Sequence, residues 1–588
     1  MSDPKLQKGT EVSSPKKDYS YLWKFEDYWA IWLGAIILLF GMFVFFGNPP
    51  ADMSQIIADS NAAMHAEAEK APFKTIAWHQ ANDAKTGLRG SNIPLAKDIN
   101  KYFTRPGSWN DSPVISFYRS PAEAESIRAV NIAKHDEAKA KLKDAKTAAE
   151  AAEAAAAAAN FKDAALNKDA EAKIKEWRSA RSAESSAKSR AETKPYNHLT
   201  TLIPLMIFLA LFFAIGTRFM GRSVAQFLIG FPAVFIVATL SFFLAAHEFS
   251  RAWGFEYVLW AIVIGFLVSN TIGTPKWIMP AVQTEYYIKT GLVLLGSSIL
   301  MSKILLIGIP GIAVTWFVTP VVLITTFWFG QKVLKIESKT LNITVSADMS
   351  VSGISAAIAA AAASRAKKEE LTLAIGISIL FTAVMMVVMP MVIKALGMHP
   401  VLGGAWIGGT IDSTGAVVAA GEILGATARD VAATIKMIQN VLIGLMAFCI
   451  AAYWCLKVDT SRADEADLSF KGALREIWNR FPKFVLGFIG ASIVFSILYA
   501  SMGNESARVL IDDGISGSVA ALQRWFFALA FASIGLSTNF RELTKYLKGG
   551  KPVILYVCGQ GFNLLLTLTV AYIMFFKIFP GITESLMK

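Results

Sequence analysis

The chain has 588 residues, 54% of them hydrophobic and 17% charged, with a mean hydropathy of +0.44 and a formal net charge of +12. A soluble chain carries about 25% charged residues, so the composition excludes an ordinary soluble enzyme and points to an all-α polytopic membrane protein. The excess lysine and arginine falls in short hydrophilic stretches between apolar runs, a topology signal and not a nucleic-acid footprint.

Residues 1–27 read as a polar, lysine-bearing cytoplasmic tail, and residues 28–47 as a first transmembrane helix without a small-residue cleavage site. Residues 48–198 differ in composition. Their second half, AKHDEAKAKLKDAKTAAEAAEAAAAAANFKDAALNKDAEAKIKEWRSARSAESSAKSRAETK, is built of strong helix formers with few large apolar residues. It predicts a long exposed helix or a helical hairpin outside the membrane. A spacer or homodimer contact is one reading of this insert, and a substrate-capturing domain is another. Cys449, Cys455 and Cys558 all lie in or beside apolar runs, so the insert has no disulfide framework.

Residues 199–578 form the membrane domain, with apolar runs at 198–217, 224–246, 255–270, 288–302, 304–329, 371–395, 431–454, 484–502, 521–537 and 552–576. With the first helix these predict about 11 spans. Arg218, Arg222, Lys276, Lys289, Lys332, Lys335, Lys339, Lys457, Arg462, Lys471, Arg475, Arg480, Lys483, Arg541, Lys545, Lys548 and Lys551 then share the cytoplasmic face. Residues 579–588 become an external tail. The stretch 288–311 resembles 524–552, and the two run in opposite senses in this topology, as an inverted repeat requires.

Two segments, 340–364 (TLNITVSADMSVSGISAAIAAAAAS) and 399–425 (HPVLGGAWIGGTIDSTGAVVAAGEILG), are rich in glycine, serine, threonine and alanine. They read as re-entrant or crossing broken helices, which survive at membrane depth only beside protein or a water-filled cavity. Hydroxyls and backbone N–H groups at a broken helix end can hold an oxyanion. The candidate substrate ligands are Ser350, Ser352, Gly353 and Ser355, with Gly408, Gly409, Thr410, Ser413, Thr414 and Gly415. The small residues also suit close helix packing. Asp348 and Asp412 are candidates for coupling to Na⁺ or a proton, with Na⁺ at Asp412, because a carboxylate at this depth costs about 2.5–3.5 kcal/mol on insertion scales. Asn342, Gln439 and Asn440 join them, and Lys436 shares a helix face with Asn440. Ser297, Ser298, Ser533, Asn563 and Arg524 are further polar residues in apolar surroundings.

His65, His79, His135, His198, His247 and His399 are scattered, and no Walker-type glycine loop is present, so the sequence argues against an enzyme or an ATP-driven pump. The stretches VSGISAAIAAAAASRAKKEELTLAIGISILF, GAWIGGTIDSTGAVVAAGEILGATARDVAATIKMIQNVLIG and FALAFASIGLSTNFRELTKYLKGGKP give residues 200–578 a likeness. This region resembles the sulfate exporter family of bacterial inner-membrane proteins. Where that family carries Cys-Gly and His-Asp-Thr, this chain reads Ser352-Gly353 and Asp412-Ser413-Thr414. The first helix and the insert lie outside the family pattern. The resemblance implies an inverted-repeat secondary transporter in the inner membrane, with a core that moves against a scaffold. The expectation is a cation- or proton-coupled carrier of a small anion: sulfate, a sulfonate or a small carboxylate. A cation/proton antiporter and a membrane scaffold or sensor acting through the insert are the alternatives.

Overall fold

The computed structural model describes residues 20–253, 255–299, 301–458, 472, 474–475, 478–479, 481–541 and 550–587. Of the expectations above, most of the N-terminal tail and Arg462, Lys471, Arg480, Lys545 and Lys548 lie outside these residues.

Nearly everything described is helical. Helix α1 (Glu26–Gly47) leads into the insert, which contains α2 (Met53–Lys70), α3 (Ile76–Gly87), α4 (Pro121–Ala158) and α5 (Ala164–Ala191). Ser120 and Glu123 form a reciprocal cap that starts α4, and Asp163 caps α5 through Ala165 and Leu166. The two long helices pack antiparallel, with His135 bonded to Glu184 at 2.9 Å. Alanines make the seam narrow, and Ile174 and Trp177 close it over Ile76 of α3. A two-residue ladder of β1 (Tyr118–Arg119) and β2 (Tyr196–Asn197) ties the base of the pair.

The insert is docked on the membrane part. The Ser91 backbone N–H and hydroxyl both donate to Asp513, at 3.0 and 2.9 Å, and Lys85 pairs with Glu505 at 2.9 Å. The Trp109 indole donates to the Phe243 carbonyl at 2.7 Å.

The membrane part continues with α6 (Leu199–Phe219), α7 (Val224–Ala245), α8 (Tyr257–Thr271), α9 (Thr284–Leu295) and α10 (Met301–Lys332). The first fold-back segment supplies α11 (Lys339–Ala347) and α12 (Ile354–Ser364), followed by α13 (Lys368–Ala395). The second segment supplies α14 (Pro400–Thr410) and α15 (Thr414–Leu424), followed by α16 (Ala426–Tyr453). The described chain closes with α17 (Phe484–Met502), α18 (Asn504–Ser537) and α19 (Lys551–Ile578).

Among the described residues nine helices are long and apolar enough to cross a bilayer: α1, α6, α7, α10, α13, α16, α17, α18 and α19. Two runs expected to cross, 255–270 and 288–302, fold instead as α8 with 15 residues and α9 with 12. Both fall short of the ~20 residues a spanning helix needs. Both pack closely on their neighbours. A Cβ on Gly265 of α8 would lie 2.6 Å from Gly535 of α18, and one on Gly296, just after α9, 2.3 Å from the Phe488 carbonyl. The middle of α8 and the end of α9 thus lie against neighbouring backbone. The core around them is aromatic, with Phe213, Tyr286, Tyr287, Trp525 and Phe526 all fully buried.

The fold-back segments are hairpins. A Cβ on Gly404 would strike Ala428 and one on Gly408 would strike Ala432, so α14 runs parallel to α16. Gly421 lies against Arg429, and Asn440 bonds Thr414 at 3.1 Å, so α15 runs back antiparallel to α16. The first segment turns in the same way. Ser338 and Thr340 before or within α11 bond Glu370 in the first turn of α13, at 2.5 and 2.8 Å, which brings the two ends together. Its tip reaches the middle of α16, where Ser352 donates to Asn440 at 2.8 Å. The two hairpins therefore approach α16 from opposite ends and meet tip to tip.

Candidate functional site

The tips are one turn of π-helix, Asp348–Ser352, ending at Gly353, and the extended residues Ile411–Ser413. Gly353 has φ +56°, and a Cβ there would sit 2.8 Å from the Asp412 carbonyl. No other residue type lets the chain reverse this close to the facing hairpin.

The carbonyl ends of the broken helices are occupied by side chains from α16 and α19. Lys436, 1% exposed, donates to Val351 O at 2.9 Å and to Gln439 Oε1 at 2.7 Å. Gln439 donates to Ser350 O at 3.2 Å and Gly409 O at 3.4 Å, so one amide bridges both tips. From α19, Gln560 donates to Thr410 O at 2.7 Å and Asn563 to Met349 O at 3.3 Å. The amino ends differ. Neither α12 nor α15 has a side-chain cap, and both begin at the tips. A helix start carries N–H groups without intrahelical partners and a positive end of the dipole, the setting in which anions bind.

A cavity of about 900 Å³ leads to these amino ends, and Ser352, Ser355, Thr414 and Asn440 form its inner end. Its mouth is lined by Glu26, Asp27, Arg222, Glu285, Lys289 and Lys483. Lys289 pairs there with Glu26 at 2.7 Å and Asp27 at 2.8 Å.

Asp348 and Asp412 lie behind the cavity, 0% and 2% exposed. Asp412 accepts a hydrogen bond from the Tyr556 hydroxyl. Asp348 has the Ser378 hydroxyl beside it, without a fully formed hydrogen bond to either carboxylate oxygen. The two aspartates face each other and Lys436, so two carboxylates share one ammonium. A buried acid with so little hydrogen bonding is costly unless a proton or a cation joins it.

Of the candidates from sequence, Ser352, Ser355, Thr414 and Asn440 meet at the end of the cavity, with Gly353, Asp348, Asp412 and Gln439 packed behind them. The Ser350 and Thr410 hydroxyls turn back onto their own helices, at 2.7 Å to Ser346 O and 2.6 Å to Trp406 O. Gly408 and Gly409 are packing positions, against Ala432 and Thr567. Ser413 precedes α15 as its cap residue, but its side chain accepts no capping bond, and Gly415 has ordinary space around it. Asn342 sits back along α11, bonded to Phe327 O at 2.8 Å and away from the tips. Sequence reasoning missed Tyr556 and Gln560. With Asn563 and Thr567 they recur at steps of four, three and four residues on one face of α19. That helical stripe of polar side chains in an apolar span was the available signal.

The comparisons with known proteins agree with a membrane protein of this length. A family model described as Conserved hypothetical protein 698 matches residues 229–556. Two proteins of Nitratidesulfovibrio vulgaris, each named UPF0324 membrane protein, are 54% and 55% identical. The first alignment covers 96% of this chain and 97% of the relative, the second 98% of each. The chain belongs to the UPF0324 family of membrane proteins. A UPF0324 relative from Rhodopirellula baltica is 55% identical over 378 residues, 64% of this chain and 68% of its own length. These names state a membrane protein and no substrate. No solved structure matches.

Proposed function

We propose that this UPF0324 protein is a secondary active transporter of a small oxyanion, of the size and charge of sulfate, a sulfonate or a small carboxylate, coupled to a cation or a proton. The observation that carries this reading is the asymmetry of the tips. Their carbonyl ends are filled by Lys436, Gln439, Gln560 and Asn563, while their two amino ends are uncapped and open on a cavity with Ser352, Ser355 and Thr414. Anion and coupling cation then occupy adjacent places, the anion at the amino ends and the cation at Asp348 and Asp412. In this reading the chain sits in the bacterial inner membrane with its N-terminus cytoplasmic and the insert outside. The hairpins are re-entrant from opposite faces, the two halves form an inverted repeat, and the cavity is the inward-open route.

A second reading has its own support. Two buried carboxylates beside one ammonium form a place that a proton or a cation can occupy in turn, which suits a cation/proton antiporter without an anion. Proteoliposomes separate the two. Labelled sulfate, methanesulfonate and malonate are offered with an imposed Na⁺ or pH gradient. Gradient-driven uptake of one anion, reduced at least about tenfold in Ser355→Ala/Thr414→Ala, is the expected result, because a hydrogen bond to a charged group is worth about 1.5–3 kcal/mol. Na⁺/H⁺ exchange indifferent to every anion, with no anion flux, sinks the anion reading and leaves the antiporter.

A further inference from the structure

A second cavity, of about 660 Å³, lies at the opposite end of α6. His198, immediately before α6, lines it, whereas Met220, immediately after α6, lines the first cavity. At ~1.5 Å per residue the 21 residues of that helix set the two about 31 Å apart. The second cavity is built jointly. Arg105 and Ser108 come from the insert, and Arg251, Glu256 and Tyr257 from the membrane part.

Its chemistry is that of a donor-rich recess. Tyr257 is 4% exposed, and its hydroxyl has no hydrogen-bond partner among the described residues. It opens the 15-residue helix α8, whose start has no side-chain cap. Arg105 lies over the Phe242 ring at 5.6 Å and is electrostatically close to Arg524, whose Nε is also buried without a partner. Arg251 donates to Ser108 at 3.0 Å across the junction of insert and membrane part. Glu256 is the opposing charge, and it faces Arg105 and Lys394 as well as Glu422. Arg429 is already engaged by Glu422 and Asp430, at 3.0 and 2.7 Å. Two arginines line the recess against one carboxylate, an uncapped helix start opens on it, and a buried hydroxyl lacks its partner.

We propose that this recess binds a small oxyanion and that the insert completes it through Arg105. An oxyanion there would accept from the Tyr257 hydroxyl and the Arg105 guanidinium while meeting the positive end of α8. The recess also lies beside α15, which runs from Thr414 at the first cavity to Glu422 near Tyr257. If the membrane part carries an anion as proposed above, the recess is its outer vestibule; only that name rests on the earlier reading.

The test is anion-dependent thermal stabilisation of the full chain in nanodiscs, where both faces are accessible, because a ligand of the folded state raises its stability by mass action. Sulfate, phosphate, bicarbonate, methanesulfonate and malonate are the probes. Tyr257→Phe removes only an unpartnered hydroxyl, and Arg105 is exposed, so neither Tyr257→Phe nor Arg105→Gln is expected to disturb folding. Arg105→Gln is expected to raise the half-maximal anion concentration about tenfold and Tyr257→Phe several-fold, with Arg105→Lys recovering part of the loss. The same shifts in the Ser355→Ala/Thr414→Ala background support the recess whatever becomes of the transporter reading. A response that only Ser355→Ala/Thr414→Ala abolishes, with the Arg105 and Tyr257 variants unchanged, overturns the recess and leaves that reading standing. No response to any of the five anions overturns both.

Discussion

Gly353→Ala puts the tip-to-tip contact under direct test. At φ +56° a non-glycine residue carries backbone strain of about 1–3 kcal/mol. The new methyl would also lie 2.8 Å from the Asp412 carbonyl, 3.1 Å from the Asp412 Cβ and 3.2 Å from the Ser378 hydroxyl, and the two nearest of these cannot move without the backbone. Overpacking of that kind costs about 1–3 kcal/mol more. The total is about 2–6 kcal/mol, charged to the arrangement in which the tips meet. Its lower bound already reduces the population of that arrangement about thirtyfold. Gly415→Ala is the matched control. It adds the same methyl two residues beyond Ser413, at an ordinary φ, with its nearest neighbours 3.7 Å away. Purified variants are compared by the temperature at which the monodisperse peak is lost on size exclusion, and reconstituted variants by anion flux. Gly353→Ala is expected to melt earlier and to lose more than tenfold in flux, while Gly415→Ala stays within about twofold on both. Equal behaviour of the two alanines would refute the claim that the hairpins touch at Gly353.

Two further outcomes follow from the charges. Lys436→Met leaves Asp348 and Asp412 facing each other without their ammonium, and removal of one partner from a buried ion cluster costs about 3–5 kcal/mol. Adding Asp348→Asn should recover much of that loss in a double-mutant cycle; strict additivity would show that the three groups do not act together. In the insert, burial holds His79 and His198 below the ordinary histidine range, with Arg178 acting on His79 as well. A folded-state pKa below the unfolded one favours the neutral ring. This contribution is therefore complete above pH ~6.5 and lost as pH falls through the lowered folded values. Hydrogen-exchange protection factors across α3, corrected for the pH dependence of intrinsic exchange, should fall on acidification, and less so in His79→Gln. An insert that tightens with acid has the opposite sign and overturns the assignment.

Much of the architecture was legible because the bilayer restricts what a chain can do. Apolar runs near 20 residues mark candidate spans. The structure departs from the reading at α8 and α9, which are shorter than hydropathy alone suggested. Gly265 and Gly296 set how closely these helices pack, yet each is one small residue whose partner lies more than 190 positions away, at Gly535 and Phe488. The two polar segments stood out by composition, but whether they return or cross did not. It depends on pairings such as Thr340 with Glu370 and Thr414 with Asn440.

The same limit governs the site. Asp348, Asp412, Ser352 and Thr414 were conspicuous because hydroxyls and carboxylates are rare in apolar sequence. Nothing local assigned them different tasks. The division of labour comes from partners on other helices. Tyr556 occupies Asp412, Asn440 bonds both Ser352 and Thr414, and Gln439 and Lys436 take the carbonyl ends that would otherwise attract a cation to the cavity. A helix break offers an acceptor end and a donor end together, and the side chains from α16 and α19 cancel the first. What the broken helices present to the cavity is thereby their uncapped amino ends, while the two aspartates lie buried behind, beside Lys436.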